Sequence, residues 1–112
     1  MEKPAEKGIR VMATPATSID HKAITERFES RLKKIDGVVS LHFSLRDGLF
    51  STWVGTNRFD DETVLHAIFD VEDQIESAFP GVRFDFHIIA IPPGRVVEDF
   101  ISNKGLVFKR PT

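Results

Sequence analysis

The sequence predicts an α+β domain, a two-layer sandwich with two helices on one face of a three-stranded mixed sheet. Two observations predict this class. Two segments, near residues 20–35 and 61–79, have the three- to four-residue apolar spacing of amphipathic helices. Three others, at 38–46, 49–56 and 82–91, have the alternation or short apolar runs of strands. The resulting order, αββαβ, lets both helices cover the same sheet face.

Length, charge and composition exclude several classes of protein. The chain has 112 residues, 15 Lys and Arg against 17 Asp and Glu, and no Cys. The absence of Cys excludes disulfides, thiolate zinc sites and cysteine nucleophiles, and it fits a reducing compartment. A net charge of -2 provides no global attraction for nucleic acid. Neither a bilayer-spanning run nor a signal peptide is visible, so we expect a cytoplasmic protein without direct membrane insertion.

We divide the chain into three parts. Residues 1–17 are charged and are predicted to be a flexible N-terminal segment. Residues 18–94 are predicted to form the αββαβ domain. Residues 95–112 are predicted to be a C-terminal extension, with room for a short helix at 95–103 and a short strand at 106–108.

Both helices have recognisable ends. Ser18 or Asp20 is the predicted N-cap of the first helix, which runs to about Ile35. Asp60 or Asp61 is the predicted N-cap of the second, and the pair Pro80-Gly81 ends it. The apolar stripes are formed by Ile24, Phe28, Leu32 and Ile35 in the first helix and by Val64, Ile68, Val71, Ile75 and Ala78 in the second.

A hairpin joins the first two strands. Asp47-Gly48 is a strong signal for a two-residue turn, and such a turn fixes the pairing on either side. Arg46 then pairs with Leu49, and one face carries apolar pairs. On the other face His42 lies directly opposite Trp53, with β-carbons about 5 Å apart.

The third strand follows a right-handed crossover and is therefore predicted to run parallel to the second. The sheet face away from the helices then mixes apolar bulk with imidazoles. Because a monomer seldom exposes such a surface, it is a candidate dimer or ligand surface. We predict that its apolar members contact a second subunit: Trp53, Ile89 and Ile91.

Three histidines have neighbours that suit metal ligation, and each also has an ordinary structural explanation. His42 is either a ligand or a surface histidine stacked on Trp53. His87 either ligates, with Asp85 supporting the imidazole, or simply pairs with Asp85. His66 and Asp70, four residues apart on a helix, either share a cation or form a solvated pair.

Three motifs together resemble a known family. They are the segment from Gly37 to His42, the helical pair His66 and Asp70, and the segment from Phe79 to Val82 followed by His87. In this order and spacing, the chain from Thr25 to Pro92 resembles the cytoplasmic C-terminal domain of cation diffusion facilitator (cation efflux) transporters. It departs from the family at Trp53 and at Ile89, where ligands often stand.

The resemblance implies a metallochaperone-like fold, a homodimer and a divalent cation, often Zn²⁺, held near the subunit interface. His42, His66 and His87 match the family's ligand positions. It further implies regulation of a membrane transporter, with no transport activity in this chain itself.

We therefore expect a cytoplasmic, dimeric regulatory domain that binds a Zn²⁺-like cation through His42, His66, His87, Asp70 and Asp85. An alternative is a metal-independent homodimerisation module on the same fold. A third hypothesis, a small-molecule binding or enzymatic domain, requires a deep pocket lined by convergent polar groups. Since the sequence contains no phosphate loop, Gly-x-Ser-x-Gly or His-Glu-x-x-His motif, we predict that the protein is not an enzyme.

Overall fold

The computed structural model describes residues 20–102 and 104–110, so the predicted flexible segment at 1–17 lies outside the described residues. Over these described residues the fold is α+β, with two helices and a four-stranded mixed sheet. The elements are α1 (His21–Leu32), β1 (Val38–Arg46), β2 (Leu49–Thr56), α2 (Glu62–Ala78), β3 (Arg83–Ala90), a short 3-10 helix (Val97–Asp99) and β4 (Leu106–Lys109).

Aspartate side chains cap both helices. The Asp20 carboxylate accepts a hydrogen bond from the Ala23 N–H at 3.0 Å, and Asp61 accepts one from the Thr63 N–H at 3.0 Å. Each satisfies a backbone donor that the first helical turn leaves without a partner. These caps confirm Asp20 and Asp61 among the predicted alternatives.

The sheet order is β3-β2-β1-β4. The hairpin pairs as predicted, from Arg46 with Leu49 to Leu41 with Val54, and a register shift follows between Val38 and Ser40. Asp47 and Gly48 have φ values of 53° and 80°. Positive φ at both positions is the type I′ turn that the Asp-Gly pair favours. β2 and β3 are parallel, as the crossover rule predicts.

The predicted count of three strands is wrong, because β4 adds a fourth beside β1. Ser40 pairs with Lys109, and the Phe43 N–H donates to the Gly105 carbonyl at 2.9 Å. The short strand predicted at 106–108 is confirmed, but its place in the sheet is not predicted. Four residues carry too little alternation to assign a partner, and that partner lies far away in the sequence. The predicted C-terminal extension thus contributes a strand to the same sheet.

The main core lies between the helices and one sheet face. Phe28 of α1 meets Phe86 of β3 edge-to-face, with ring centroids 6.0 Å apart. Phe50 and Ile68 are fully buried in the same cluster. Within the described ranges, no helix has the length and apolar character needed to cross a membrane.

A smaller apolar cluster lies on the opposite side of the sheet, which we call the second face. Val39, Ile91 and Val97 form it, and Ile89 and Ile101 pack against it. Residues 92–102 and 104–105, which we call the crossing segment, run from β3 at one sheet edge to β4 at the other. The crossing segment therefore covers part of the second face.

Candidate functional site

His42 is buried, although the sequence suggests an outward position on its strand. It lies opposite Trp53 as predicted, yet only 1% of its surface is exposed. Neither ring nitrogen has a hydrogen-bond partner among the described residues. Burial lowers the pKa of this imidazole, and the negative charge of Glu98 in the crossing segment opposes that shift. His42 is thus held neutral and out of reach of a dissolved cation.

His87 is accessible and has two ordered neighbours. Its ring stacks on Trp53, with centroids 5.2 Å apart and planes at 10°. Its Nε2 lies 2.9 Å from an Asp85 carboxylate oxygen. The parallel register places Trp53 beside His87, so β1, β2 and β3 carry His42, Trp53 and His87 in one row. His42 and His87 stand two strand spacings apart, about 10 Å.

His66 and Asp70 are exposed on α2. That helix packs against the core face of the sheet, whereas His42 and His87 belong to the second face. Nowhere in residues 20–102 and 104–110 do three or more His, Asp or Glu side chains group closely enough to hold a metal ion. The five predicted ligands are therefore not brought together within one chain, and only Asp85 and His87 among them are in contact.

The three predicted interface residues also differ in exposure. Ile91 is fully buried against the small apolar cluster, so it has no surface for a second subunit to cover. Trp53 and Ile89 are partly exposed and remain open to contact. The reason is the crossing segment, which covers Ile91 from within the same chain.

A cleft of about 810 Å³ lies between the second face and the crossing segment. Trp53, His87 and Ile89 contribute from the sheet. The crossing segment contributes Phe100, Ile101, Ser102, Lys104 and Gly105. The remaining lining residues are Phe43, Ser44, Leu45, Arg46 and Ile88.

The polar groups of this cleft are cationic or neutral. Arg46 and Lys104 supply positive charge, while Ser44 and Ser102 supply hydroxyls, and none of the described lining residues has a carboxylate. A neighbouring groove of about 450 Å³ shares Ser44, Arg46 and Trp53 and adds Arg83 together with the acidic Asp47. The charged lining residues of the cleft are therefore cations, while the carboxylates of Asp47 and Asp85 lie close to it.

Sequence reasoning did not identify the half of the cleft that belongs to the crossing segment. The sequence does contain one indication that the chain turns back to the sheet here. The pair Lys104-Gly105 is typical of a turn, and an apolar triplet follows it. Gly105 has a φ of +81°, and a β-carbon there would lie 2.1 Å from the Phe43 carbonyl oxygen. Only glycine lets the two backbones approach this closely.

No protein-family model matches the chain, and neither a curated protein nor a solved structure matches it. The resemblance to the cation diffusion facilitator family therefore stays a prediction.

Proposed function

We propose that this domain binds a small organic anion with an aromatic or apolar body. The observation that carries the proposal is the cleft of about 810 Å³, which combines an apolar lining with two cations. Its volume falls in the range of about 300–1,000 Å³ that is typical of ligand sites. A concave site with polar groups beside an apolar lining supports the small-molecule hypothesis.

The apolar lining favours a ligand with a hydrophobic body. Phe100 is 43% exposed, and Trp53, Ile89 and Ile101 are only partly buried. These side chains face each other across the cleft rather than being scattered over the surface. A ligand placed between them would remove this apolar area from water, which is the general source of affinity in such sites.

The charges favour an anionic group on that ligand. Arg46 lies at the hairpin end of β1, and Lys104 lies in the crossing segment. None of the described residues that line the cleft offers either of them a carboxylate partner, and the nearby Asp85 carboxylate contacts His87 at 2.9 Å. A carboxylate, sulfonate or phosphate held by both cations would form charge-assisted hydrogen bonds, which are stronger than neutral ones.

The single Trp makes binding directly observable. Trp53 is the only Trp in a chain without Tyr, and it lines the cleft. We expect energy transfer from Trp53 to bound 8-anilinonaphthalene-1-sulfonate, a planar aromatic anion, in the folded protein. The uncharged analogue N-phenyl-1-naphthylamine tests the charge requirement, and we expect it to bind more weakly.

Matched charge removals locate the site. Lys104→Gln and Arg46→Gln should each weaken binding of the sulfonate by about three- to tenfold, as loss of one partly solvated ionic contact would. Lys34→Gln removes an exposed charge after α1 and should leave binding unchanged. Equal affinity of all three variants and the wild type, or absence of transfer from Trp53, would contradict the proposal.

A cytoplasmic regulatory domain for divalent cations is the second candidate, and the Asp85–His87 contact is the observation that favours it. An exposed imidazole with an adjacent carboxylate offers two ligands of the kinds that Zn²⁺ accepts. A four-coordinate site would need further ligands from water or a second subunit. The accompanying proposals of a homodimer and a transporter partner belong to this candidate.

Calorimetric titration with Zn²⁺ separates the two candidates. Under the cation hypothesis, the wild type binds Zn²⁺ and the double variant with His66→Ala and His87→Ala does not. Under the cleft hypothesis alone, neither protein binds Zn²⁺ specifically. Equal binding by both proteins would exclude these two histidines as the ligands.

A further inference from the structure

The two edges of the sheet differ in how well they are protected. β4 forms one edge, and it is short, ends in Lys109 and pairs across a register shift. Short length, lysine and bulges are devices that keep sheet edges from joining. Among the strands of the described residues, β3 forms the other edge, with eight residues, neither Lys nor Pro, and an unbroken register with β2. By these criteria, β3 is the less protected edge and the one that can pair with another strand.

The backbone of β3 has groups directed outward along this edge. The Ile91 N–H donates to the Thr56 carbonyl at 2.8 Å, so the odd-numbered residues of this strand bond toward β2. Because residues alternate sides along a strand, the even-numbered ones direct their N–H and C=O groups away from β2. Phe84, Phe86 and Ile88 therefore present both groups to the open edge.

We propose that β3 pairs antiparallel with β3 of a second copy of this chain, with Phe86 on the two-fold axis. In this register Phe84 lies opposite Ile88 of the second copy, and Phe86 lies opposite its own equivalent. These pairs exchange the outward backbone hydrogen bonds. The Asp85 side chain lies opposite His87 of the second copy in a pair without backbone hydrogen bonds, where side chains approach most closely.

Charge complementarity and the length of the overlap together select this register. An axis on Phe84 would put Asp85 opposite Arg83 of the second copy, but it would pair only residues 83–85 of the two strands. A shift that centres the axis on Asp85 puts two carboxylates opposite each other. A shift that centres it on His87 puts two imidazoles together and leaves Asp85 opposite the apolar Ile89. Only the pairing about Phe86 matches acid with imidazole on both sides of the axis, as an isologous interface requires. Like charges directly opposite destabilise strand pairing.

The apolar side chains agree with the same register. Phe84 and Phe86 stack with centroids 5.2 Å apart and planes at 9°, and both are only partly buried in one chain. In the dimer they extend into a row with Ile88 of the second copy. The helix-covered core thereby continues across the axis. Each copy supplies four strands, so the dimer has one eight-stranded sheet. The second faces of both copies lie on the same side of that sheet.

Sedimentation velocity over a concentration series tests the pairing. A chelator is present, so that bridging of two copies by a metal ion is excluded. We expect a wild-type dimer. His87→Asp places two carboxylates opposite each other at both symmetry-related contacts, and Asp85→His places two imidazoles there. Each change should weaken the dimer about tenfold or more.

The exchanged double variant, with Asp85→His and His87→Asp, restores complementarity and should recover the wild-type dissociation constant. Lys109→Gln, at the opposite edge, should leave it unchanged. Circular dichroism confirms that each variant is folded. A wild-type monomer, a dimer that both single variants leave intact, or a double variant without recovery would each overturn the proposal. Sulfonate binding to the cleft is measured separately, so the two proposals fail independently.

Discussion

At the residue scale, Glu72 is a carboxyl group inside α2 that is only 7% exposed. One of its oxygens has no hydrogen-bond partner among the described residues. Burial raises its pKa to about 7, and the charge of Asp73 adds to the shift. A folded-state pKa above the unfolded value means that the folded protein holds this proton more tightly. Its contribution to stability is full below about pH 4.5 and is lost as the pH rises through about 7.

Replacing Glu72 with Gln removes the charge and keeps the shape. At pH 8 we expect Glu72→Gln to raise the free energy of unfolding by about 1–3 kcal/mol, because an ionised carboxylate is no longer held in an apolar site. At pH 4.5 the gain should vanish. Urea denaturation at both pH values measures this. Glu76→Gln, at an exposed position on the same helix, is the control, and an equal response of both variants at pH 8 would contradict the prediction.

His42 has the opposite dependence on pH. Burial holds its folded-state pKa below the unfolded value of 6.5, so the unfolded chain binds the proton more readily. Its contribution to stability is therefore present above about pH 6.5 and is lost as the pH falls below that value. Glu98 moderates this effect, because its charge favours the protonated ring.

His42→Leu should reduce the acid sensitivity of the fold. Replacing a buried imidazole without hydrogen bonds by an apolar side chain of similar size should change stability at pH 8 by less than about 1.5 kcal/mol. Between pH 7 and pH 5, the variant should lose less stability than the wild type in urea denaturation. The exposed His66→Leu should retain the wild-type slope, and a parallel slope in His42→Leu would count against this account.

At the element scale, β4 is attached at both ends by contacts to β1. Before the strand, the Gly105 carbonyl accepts from the Phe43 N–H. After it, the Arg110 side chain donates to the Val38 carbonyl at 3.0 Å and to the Ile35 carbonyl at 3.3 Å. Phe108 in between is buried in the main core. The crossing segment is thus held over the cleft by a strand of only four residues.

Gly105→Ala should release this strand. An added β-carbon would meet the Phe43 carbonyl oxygen at 2.1 Å, in addition to the strain of a φ of +81°. Gly94→Ala is a matched control, because Gly94 has a φ of +85° and no atom within 4 Å of an added β-carbon. We expect Gly94→Ala to cost about 1–2 kcal/mol from strain alone and Gly105→Ala at least about 2 kcal/mol more. Urea denaturation compares them, and equal losses would show that the close approach is unimportant.

The elements that the sequence predicts well are those fixed by neighbouring residues. Asp47-Gly48 determines the hairpin register from within two positions, and the pairing follows it to Leu41. Asp20 and Asp61 mark the helix starts because they bond to amides only a few residues away. The apolar triplet at 106–108 predicts that β4 exists, but its position in the sheet has no comparable local signal, since that position depends on pairing with a distant strand.

At the scale of the whole molecule, the crossing segment accounts for what the sequence could not show. It packs against Ile91 through Val97, it brings the charge of Glu98 near the buried His42, and it supplies one wall of the cleft. Alternation along a strand indicates which side a residue takes, and it does not indicate what covers that side. The predicted metal ligands fail to meet for a related reason, since α2 and the second face lie on opposite sides of the sheet. Metal binding and dimerisation stay predictions.

The attachment of β4 also has a consequence for how the molecule fluctuates. The hairpin closes between adjacent residues, whereas the Arg110 to Val38 contact closes a loop of 72 positions. Closing long loops costs more chain entropy, and short, peripheral strands open at lower free energy than the interior of a sheet. We therefore expect amide hydrogens such as that of Phe43, which bonds to Gly105, to exchange with solvent before those that join β1 to β2. Each such opening would briefly expose His42 to water. The rate at which this ring takes up a proton would therefore measure how often the crossing segment separates from the sheet.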